Sequence, residues 1–278
     1  MTLLQTLTGV TVLGYADQLV EAVALASQQT PPSRHWKAPL WVALVAVSLR
    51  LAPEEPEAGP WRAEQLTVVA DTLLRRHGDG TGAHHRPVVL AVDGRSSSGK
   101  TTLAARLHAI VAGSTVVHTD DIAWWHSRFG WADLLIGGIL APARAGRPVS
   151  YRPPRWDERE RPGAIEVAAD CSLLIIEGVG AARRESAHLT DAAIWVQADE
   201  QETEQRNLSR VGQPGGPRTV QHLRDWMAEE IPFLAGQRPW EHAVLIACGT
   251  PRILFDPGTE LVVAPPLARP RDPVSSAH

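Results

Sequence analysis

A glycine-rich segment of this chain carries a phosphate-binding motif. Its residues, Gly94-Arg95-Ser96-Ser97-Ser98-Gly99-Lys100-Thr101, fit the pattern G-x-x-x-x-G-K-[ST], with an apolar run before them and a helical pattern after them. In such a loop the amides and the helix N-terminus bind phosphate, the lysine reaches the β- and γ-phosphates, and the threonine holds Mg²⁺. The motif therefore predicts a nucleoside triphosphate site with the contact residues Gly94, Ser96, Ser97, Ser98, Gly99, Lys100, Thr101 and Thr102.

Two further apolar runs end in carboxylates, one at Asp120 and Asp121 and the other at Glu177. A carboxylate beside a phosphate site can accept the proton of an attacking hydroxyl or help to bind magnesium. We predict that Asp120 is the base, and that it binds the metal together with Thr101 and Glu177. Other roles stay open for these residues, because either aspartate can cap a helix and Glu177 can pair with Arg183.

Aromatic and imidazole side chains flank the two aspartates. His118 precedes them and is either a structural histidine or a substrate contact. Trp124 and Trp125 follow them, and they are either core residues or a wall for a flat substrate. The sequence alone leaves both pairs of alternatives open.

The scaffold that must position these residues follows from the pattern of apolar runs. Runs of continuous apolar character predict strands that are covered on both faces, at residues 87–93, 114–119, 173–177, 192–197 and 243–247. Helical patterns alternate with them, so we predict an α/β P-loop NTPase fold with a five-stranded parallel sheet and helices on both faces. Right-handed crossovers then bring Gly94, Asp120 and Glu177 to one edge of the sheet.

The chain divides by composition into three parts. Residues 1–60 predict an N-terminal helical extension, with two helices between residues 16 and 51 and a linker rich in proline and glutamate at residues 52–60. Residues 61–265, beginning with a helix at 61–77, form the predicted P-loop domain. Residues 266–278 form a predicted flexible tail, because they are rich in proline and polar residues.

Composition restricts the partners. The 278 residues are 44% hydrophobic with a formal net charge of −4, so there is no general basic surface and we expect a small-molecule substrate rather than nucleic acid. The apolar stretch at residues 40–49 is too short to span a bilayer, so we expect no membrane association. The two cysteines lie in apolar runs, which is consistent with a cytoplasmic protein. Whether the chain forms a homo-oligomer stays open.

The phosphate loop, the stretch HTDD-IAWW and the stretch LLIIEGVG together resemble the uridine kinase group of P-loop nucleoside kinases, and later stretches look like its actinobacterial branch. Phosphoribulokinase and bacterial pantothenate kinase are similar at a greater distance. The resemblance covers residues 61 to about 250. It implies ATP- and Mg²⁺-dependent transfer of the γ-phosphoryl group to a nucleoside 5′-hydroxyl, with Asp120 as the base and Glu177 at the family's second acidic position.

The resemblance also implies residues for the lid and for the acceptor. Arg206 and Arg210 match the arginine-bearing lid, although the basic run expected after Arg210 is replaced by VGQPGGP. Lys100, Asp120, Glu177 and these two arginines are thus the expected catalytic set. The expected acceptor contacts are Asp120, Asp121, Trp124, Tyr151, Arg152 and Trp156, but the family pattern around residues 151–157 is not reproduced. Two alternatives follow: a non-nucleoside acceptor such as a specialised metabolite, vitamin precursor or sugar phosphate, or a regulatory or assembly ATPase without a small-molecule acceptor.

Overall fold

A seven-stranded sheet organises the part of the chain that the computed structural model describes, residues 49–77 and 86–267. In chain order the strands are β1 (Arg62–Gln65), β2 (Val88–Gly94), β3 (Ser114–His118), β4 (Val149–Tyr151), β5 (Ile165–Val167), β6 (Leu173–Glu177), β7 (Ala192–Gln197), β8 (Leu245–Cys248) and β9 (Glu260–Ala264). The α-helices are α1 (Leu66–His77), α2 (Lys100–Ile110), α3 (Thr119–Ala123), α4 (Ala132–Leu135), α5 (Ala141–Arg144), α6 (Pro154–Glu158), α7 (Glu200–Ser209) and α8 (Val220–Gln237). A π-helical turn (Ile136–Leu140) joins α4 to α5, and 3₁₀ turns cover Arg184–Leu189 and Pro239–Glu241.

The sheet order is β1-β9-β8-β7-β2-β6-β3, and the five strands from β8 to β3 are parallel. These are the five predicted strands, which confirms the α/β class and the parallel sheet. The sheet nevertheless has seven strands rather than five, because β9 pairs antiparallel with β8 and β1 pairs antiparallel with β9. The strands β4 and β5 form a separate antiparallel pair.

Both faces of the central strand, β2, are apolar and covered by helices. All seven residues of β2 are buried. Leu90 and Val92 pack on one face with residues of α1 and α2, whereas Val89 and Ala91 pack on the other with the region of α4. A strand buried on both faces has no polar side to alternate with, and this is why the sequence shows continuous apolar runs.

The chain before the sheet departs from expectation in two places. The helix predicted at residues 61–77 begins only at Leu66, because residues 62–65 pair with β9 as an edge strand. The predicted linker packs on the domain: Glu55 accepts hydrogen bonds from Trp195 Nε1 (2.6 Å) and Gln197 Nε2 (3.0 Å). Ala58 N also donates to Gln197 Oε1 at 2.9 Å. We call residues 49–60 the strap.

Most of the two N-terminal helices predicted between residues 16 and 51, and most of the tail predicted at 266–278, lie outside the described residues. The last predicted residues, 49–51, are described and are not helical. Within the described ranges, no helix is both long enough and apolar enough to cross a membrane.

Candidate active site

The phosphate loop lies where the sequence places it, between the end of β2 and the start of α2. Gly99 is the N-cap of α2 and has a φ of +104°, which side chains rarely adopt. Lys100 opens the helix, is nearly buried and donates from Nζ to the Arg95 carbonyl oxygen at 2.7 Å. The loop therefore folds around its own lysine, whose ammonium group lies in the crevice above the sheet edge.

Asp93 braces the loop from below, a role that the sequence did not reveal. One oxygen of this buried carboxylate accepts the amides of Gly94 (2.7 Å) and Gly180 (3.0 Å), and the other accepts that of Ala182 (2.9 Å). Burial raises the pKa of Asp93 to about 6, although the backbone donors and the charge of Lys100 oppose the rise. Asp93 thus ties the phosphate loop to the loop that follows Glu177.

Glu177 joins the loop threonine to the end of the neighbouring strand. It accepts hydrogen bonds from Thr101 Oγ1 at 3.0 Å and shares a 2.6 Å hydrogen bond with His118 Nδ1, which is its register partner in β3. Burial acts to raise the pKa of Glu177, but the bond to His118 and the charge of Lys100 outweigh it and hold the pKa below its ordinary value. The same bond raises the pKa of His118.

These contacts bear on two of the alternatives that the sequence left open. Glu177 pairs with His118 and not with Arg183, whose guanidinium donates to the Phe129 carbonyl and stacks over Trp131. His118 accordingly has a structural contact at the site. The backbone after Glu177 packs closely on Thr119, which follows β3. A Cβ on Gly178 would lie only 1.8 Å from Thr119 Oγ1, so this position has room only for glycine.

Asp120 lies in the first turn of α3 and opens into the crevice. Its carboxylate has no hydrogen-bond or ion-pair partner among residues 49–77 and 86–267, and α3 has no side-chain cap. The surrounding crevice walls partly desolvate the Asp120 carboxylate, although the residue is open to solvent, and this raises its pKa; the charge of Lys100 offsets part of the rise. The capping role is therefore wrong for Asp120, which remains available to a molecule in the crevice.

Asp121 faces a different environment from its neighbour. Its Oδ1 accepts a hydrogen bond from Arg161 at 2.6 Å, and its carbonyl accepts one from Trp156 Nε1 at 2.8 Å. The Arg161 guanidinium in turn stacks over Trp156, 3.7 Å from the ring centroid, and lies 5.2 Å from that of Trp124. Asp121, Trp124 and Trp156 thus form a packed cluster and do not line the crevice, contrary to the acceptor contacts that we expected.

Tyr151 and Arg152, also expected to contact the acceptor, lie elsewhere as well. Tyr151 lines a separate hollow beside Gly138 in the π-helical turn. Arg152 donates to Asp157 and to the carbonyl oxygens of residues 161 and 163, so it holds its own loop together. Tyr151 ends β4 and Arg152 follows it, and β4 pairs with β5 in a sheet separate from the one that carries the crevice.

The lid arginines take different positions. Arg210 lines the crevice, where its Nη1 is 3.5 Å from Ser97 Oγ and its Nη2 donates to the Gly215 carbonyl at 2.8 Å. Arg206 does not line the crevice, because it donates to the carbonyl oxygens of Ser97 and Gly249 at 3.2 Å. The arginines therefore hold α7 against the phosphate loop, and the loop after Arg210 forms one wall of the crevice.

Helix α8 supplies the wall that sequence reasoning missed. His222 and Trp226, one turn apart, line the crevice, and Glu230 lies one turn further along the same face. The buried Glu230 accepts the Ser96 amide at 2.6 Å and Trp226 Nε1 at 3.0 Å, while Trp226 Nε1 also lies 2.7 Å from Ser96 Oγ. The spacing of four residues between His222, Trp226 and Glu230 places them on one face of a helix. The sequence does not show that this face packs on the phosphate loop, 130 residues away.

The assembled crevice has a volume of about 330 Å³. Further residues that the sequence did not indicate also line it, His126 and Arg128 from the segment after α3. No group of three or more metal-binding side chains of the His, Cys, Asp and Glu types occurs in the described ranges. The lining instead offers the Thr101 hydroxyl with Glu177 and Asp120, a sparse oxygen donor set that suits Mg²⁺ held mainly by phosphates and water.

Comparison with solved structures finds 44 chains that are similar to this one. No family model matches the chain, and no curated protein matches it. A solved structure described as a "possible uridine kinase from Bacillus stearothermophilus" is similar over 65% of this chain and 96% of that chain, with 20% sequence identity and a TM-score of 0.44.

Proposed function

We propose that this protein is an ATP- and Mg²⁺-dependent kinase that transfers the γ-phosphoryl group to a hydroxyl of a small molecule. A nucleoside 5′-hydroxyl is the acceptor that the sequence resemblance implies. The observation that carries the proposal is the position of Asp120: a carboxylate without a hydrogen-bond partner in the described ranges shares one crevice with Lys100, Thr101 and Glu177. A base beside a phosphate loop is the arrangement that phosphoryl transfer to an alcohol requires.

The residues divide the reaction between them. Asp120 accepts the proton of the acceptor hydroxyl as the oxygen forms its bond to the γ-phosphorus and the bond from that phosphorus to the β-phosphate oxygen breaks. Lys100 and the loop amides stabilise the negative charge of the transferring group and of the ADP that leaves. Arg210 lines the crevice beside the phosphate loop, and its guanidinium can contact two phosphate oxygens at once.

The residues present fit a magnesium ion. Thr101 and Glu177 lie within hydrogen-bonding distance of one another and would hold the ion together with Asp120, which lines the same crevice. When bound, magnesium neutralises charge on the β- and γ-phosphates. The hydrogen bond from His118 keeps Glu177 ionised, which is the form that such a role needs.

Product detection tests the proposal. The protein is incubated with ATP and Mg²⁺ and with nucleosides and other small alcohols, and products are detected by mass spectrometry, with Lys100→Ala as the control. A phosphorylated alcohol formed by the wild type and absent from the control is the expected result. ATP binding without any phosphorylated alcohol would contradict it.

One observation favours the alternative of a non-nucleoside acceptor. The segment expected to contact a nucleoside, around Tyr151 and Trp156, lies outside the crevice, and α8 residues such as Trp226 take its place. The panel of acceptors therefore includes alcohols that are not nucleosides.

A further inference from the structure

Trp125 lies beside the mouth of the crevice in an unfavourable conformation. Its backbone φ is +54° and its side chain is 48% exposed. A bulky residue in the left-handed region costs free energy and persists where the surrounding structure imposes it, often at functional sites. Ala123, two residues before it, and His126, the next residue, line the crevice, so Trp125 lies on the side of the crevice that holds Asp120.

Two arginines converge on this indole from other parts of the chain. The guanidinium carbon of Arg159, from the turn after α6, is 3.8 Å from the ring centroid of Trp125. That of Arg218, which follows the crevice residue Pro217, is 5.5 Å from the same centroid. The indole attracts both charges by cation–π interaction, and among the described residues the N–H donors of the two guanidinium groups make no hydrogen bond.

Neither guanidinium has an anionic partner in the part of the chain that the structure describes. Within residues 49–77 and 86–267, no carboxylate lies within ion-pair distance of Arg159 or Arg218, whereas the nearby Arg155 and Arg161 pair with Glu158 and Asp121. Two like charges that share one aromatic ring repel each other, and an anion between them removes this cost. Arginine is also the residue that best recognises phosphate and carboxylate groups.

We propose that Trp125, Arg159 and Arg218 bind an anionic group carried by the acceptor. The inference rests on the proposed function and narrows its substrate class: the acceptor is an alcohol that bears a phosphate or a carboxylate away from the reacting hydroxyl. The reacting hydroxyl lies at Asp120, and the anionic group lies at the rim where the loop before α8 meets the segment after α3.

Matched pairs of acceptors test this assignment. Uridine is compared with uridine 3′-monophosphate, and pantothenol with pantothenate, since each pair differs chiefly in one anionic group. Affinities are measured by calorimetry, and phosphorylated products by mass spectrometry. The proteins compared are the wild type, the double variant Arg159→Ala/Arg218→Ala, and its conservative form Arg159→Lys/Arg218→Lys. Arg155→Ala is the matched control, because this neighbouring arginine does not contact Trp125.

In at least one pair the wild type should bind the anionic member about 10- to 100-fold more tightly, as expected for hydrogen bonds to a charged group. The alanine double variant should reduce this preference to less than about threefold, the lysine form should retain part of it, and Arg155→Ala should retain all of it. Equal affinity for both members of every pair, or an equal loss in Arg155→Ala, would overturn the inference.

The two proposals fail in different ways. Phosphorylation of neutral acceptors without any anion preference would leave the kinase assignment standing and remove the anion site. An anion preference that depends on Arg159 and Arg218, but without any phosphorylated product, would keep the anion site and contradict the kinase assignment.

Discussion

At the scale of single residues, the environment of Asp120 differs from that of the two carboxylates nearest to it in the site and in the sequence, Glu177 and Asp121. Glu177 is bonded to Thr101 and His118, and Asp121 is paired with Arg161, so both are committed to protein partners. Asp120 faces the crevice without such a partner among the described residues. A carboxylate held in this way can orient a hydroxyl and take its proton without first breaking a bond to the protein.

The pKa of Asp120 predicts the acid limb of the pH profile. A base must be deprotonated to act, so activity should rise with pH as Asp120 loses its proton. Partial desolvation raises this pKa above the ordinary value of 3.8, and the limb should therefore lie at higher pH than for an aspartate with an ordinary pKa. The measurement is kcat/KM against pH for an acceptor that does not itself titrate, and a rate that stays constant down to pH 4 would contradict the assignment.

At the scale of elements, α8 links the acceptor wall to the phosphate loop. Trp226 forms part of the wall, and its indole N–H bonds to Glu230 and lies within bonding distance of Ser96 Oγ. Glu230 also accepts the Ser96 amide. A molecule that contacts Trp226 therefore contacts a side chain already bonded to the loop that binds the triphosphate.

Removal of the Glu230 carboxylate should be costly. Glu230→Ala leaves the Ser96 amide without its acceptor, whereas the Trp226 N–H keeps Ser96 Oγ as its one remaining acceptor. An unpaired donor costs about 1–3 kcal/mol, so we expect the free energy of unfolding, measured by denaturant titration, to fall by about 1–3 kcal/mol. The adjacent and exposed Glu229 provides the control, since Glu229→Ala should change stability by less than about 1 kcal/mol. Similar losses in both variants would contradict the role given to Glu230.

At the scale of the whole molecule, the strap attaches the chain before β1 to β7 and to the start of α7. Glu55 meets Trp195 and Gln197 of β7, and Arg50 exchanges hydrogen bonds with Asp199 and Glu200 at the start of α7. The phosphate-loop residue Arg95 also pairs with Glu200 at 3.1 Å. The strap and the phosphate loop thus share the N-terminal end of one helix.

The strap predicts a difference between two substitutions at Glu55. Burial raises the pKa of Glu55, so its charge is unfavourable while its hydrogen bonds are favourable. Glu55→Gln can still accept from Trp195 and Gln197 and should leave the melting temperature within a few degrees of the wild type. Glu55→Ala leaves both donors unpaired and should lower stability by about 1–3 kcal/mol. Calorimetric unfolding compares the two, and equal melting temperatures would show that the strap adds no stability.

The sequence predicted what local patterns determine. The phosphate loop, the five parallel strands and the strand-end positions of Asp120 and Glu177 follow from short motifs and apolar runs, and β2 and β6 are buried throughout as their sequences indicate. The seven-stranded width depends on β1 pairing with β9, about 200 residues away, which no local pattern encodes. The expected acceptor contacts differ from the observed crevice lining for the same reason. Tertiary packing places Tyr151 and Trp156 outside the crevice and Trp226 in its wall.

The most direct test of the central claim compares Lys100→Ala with Asp120→Asn in two measurements, ATP affinity and single-turnover phosphoryl transfer to an acceptor found in the product screen. Both variants should lose the transfer reaction, Asp120→Asn by about 10²- to 10⁴-fold. Only Lys100→Ala should also lose ATP affinity, by about 10- to 100-fold, because Lys100 contacts the phosphates in our assignment and Asp120 contacts the acceptor. Equal losses of ATP affinity, or a transfer rate unchanged in Asp120→Asn, would contradict the division of roles between the phosphate loop and the acceptor base.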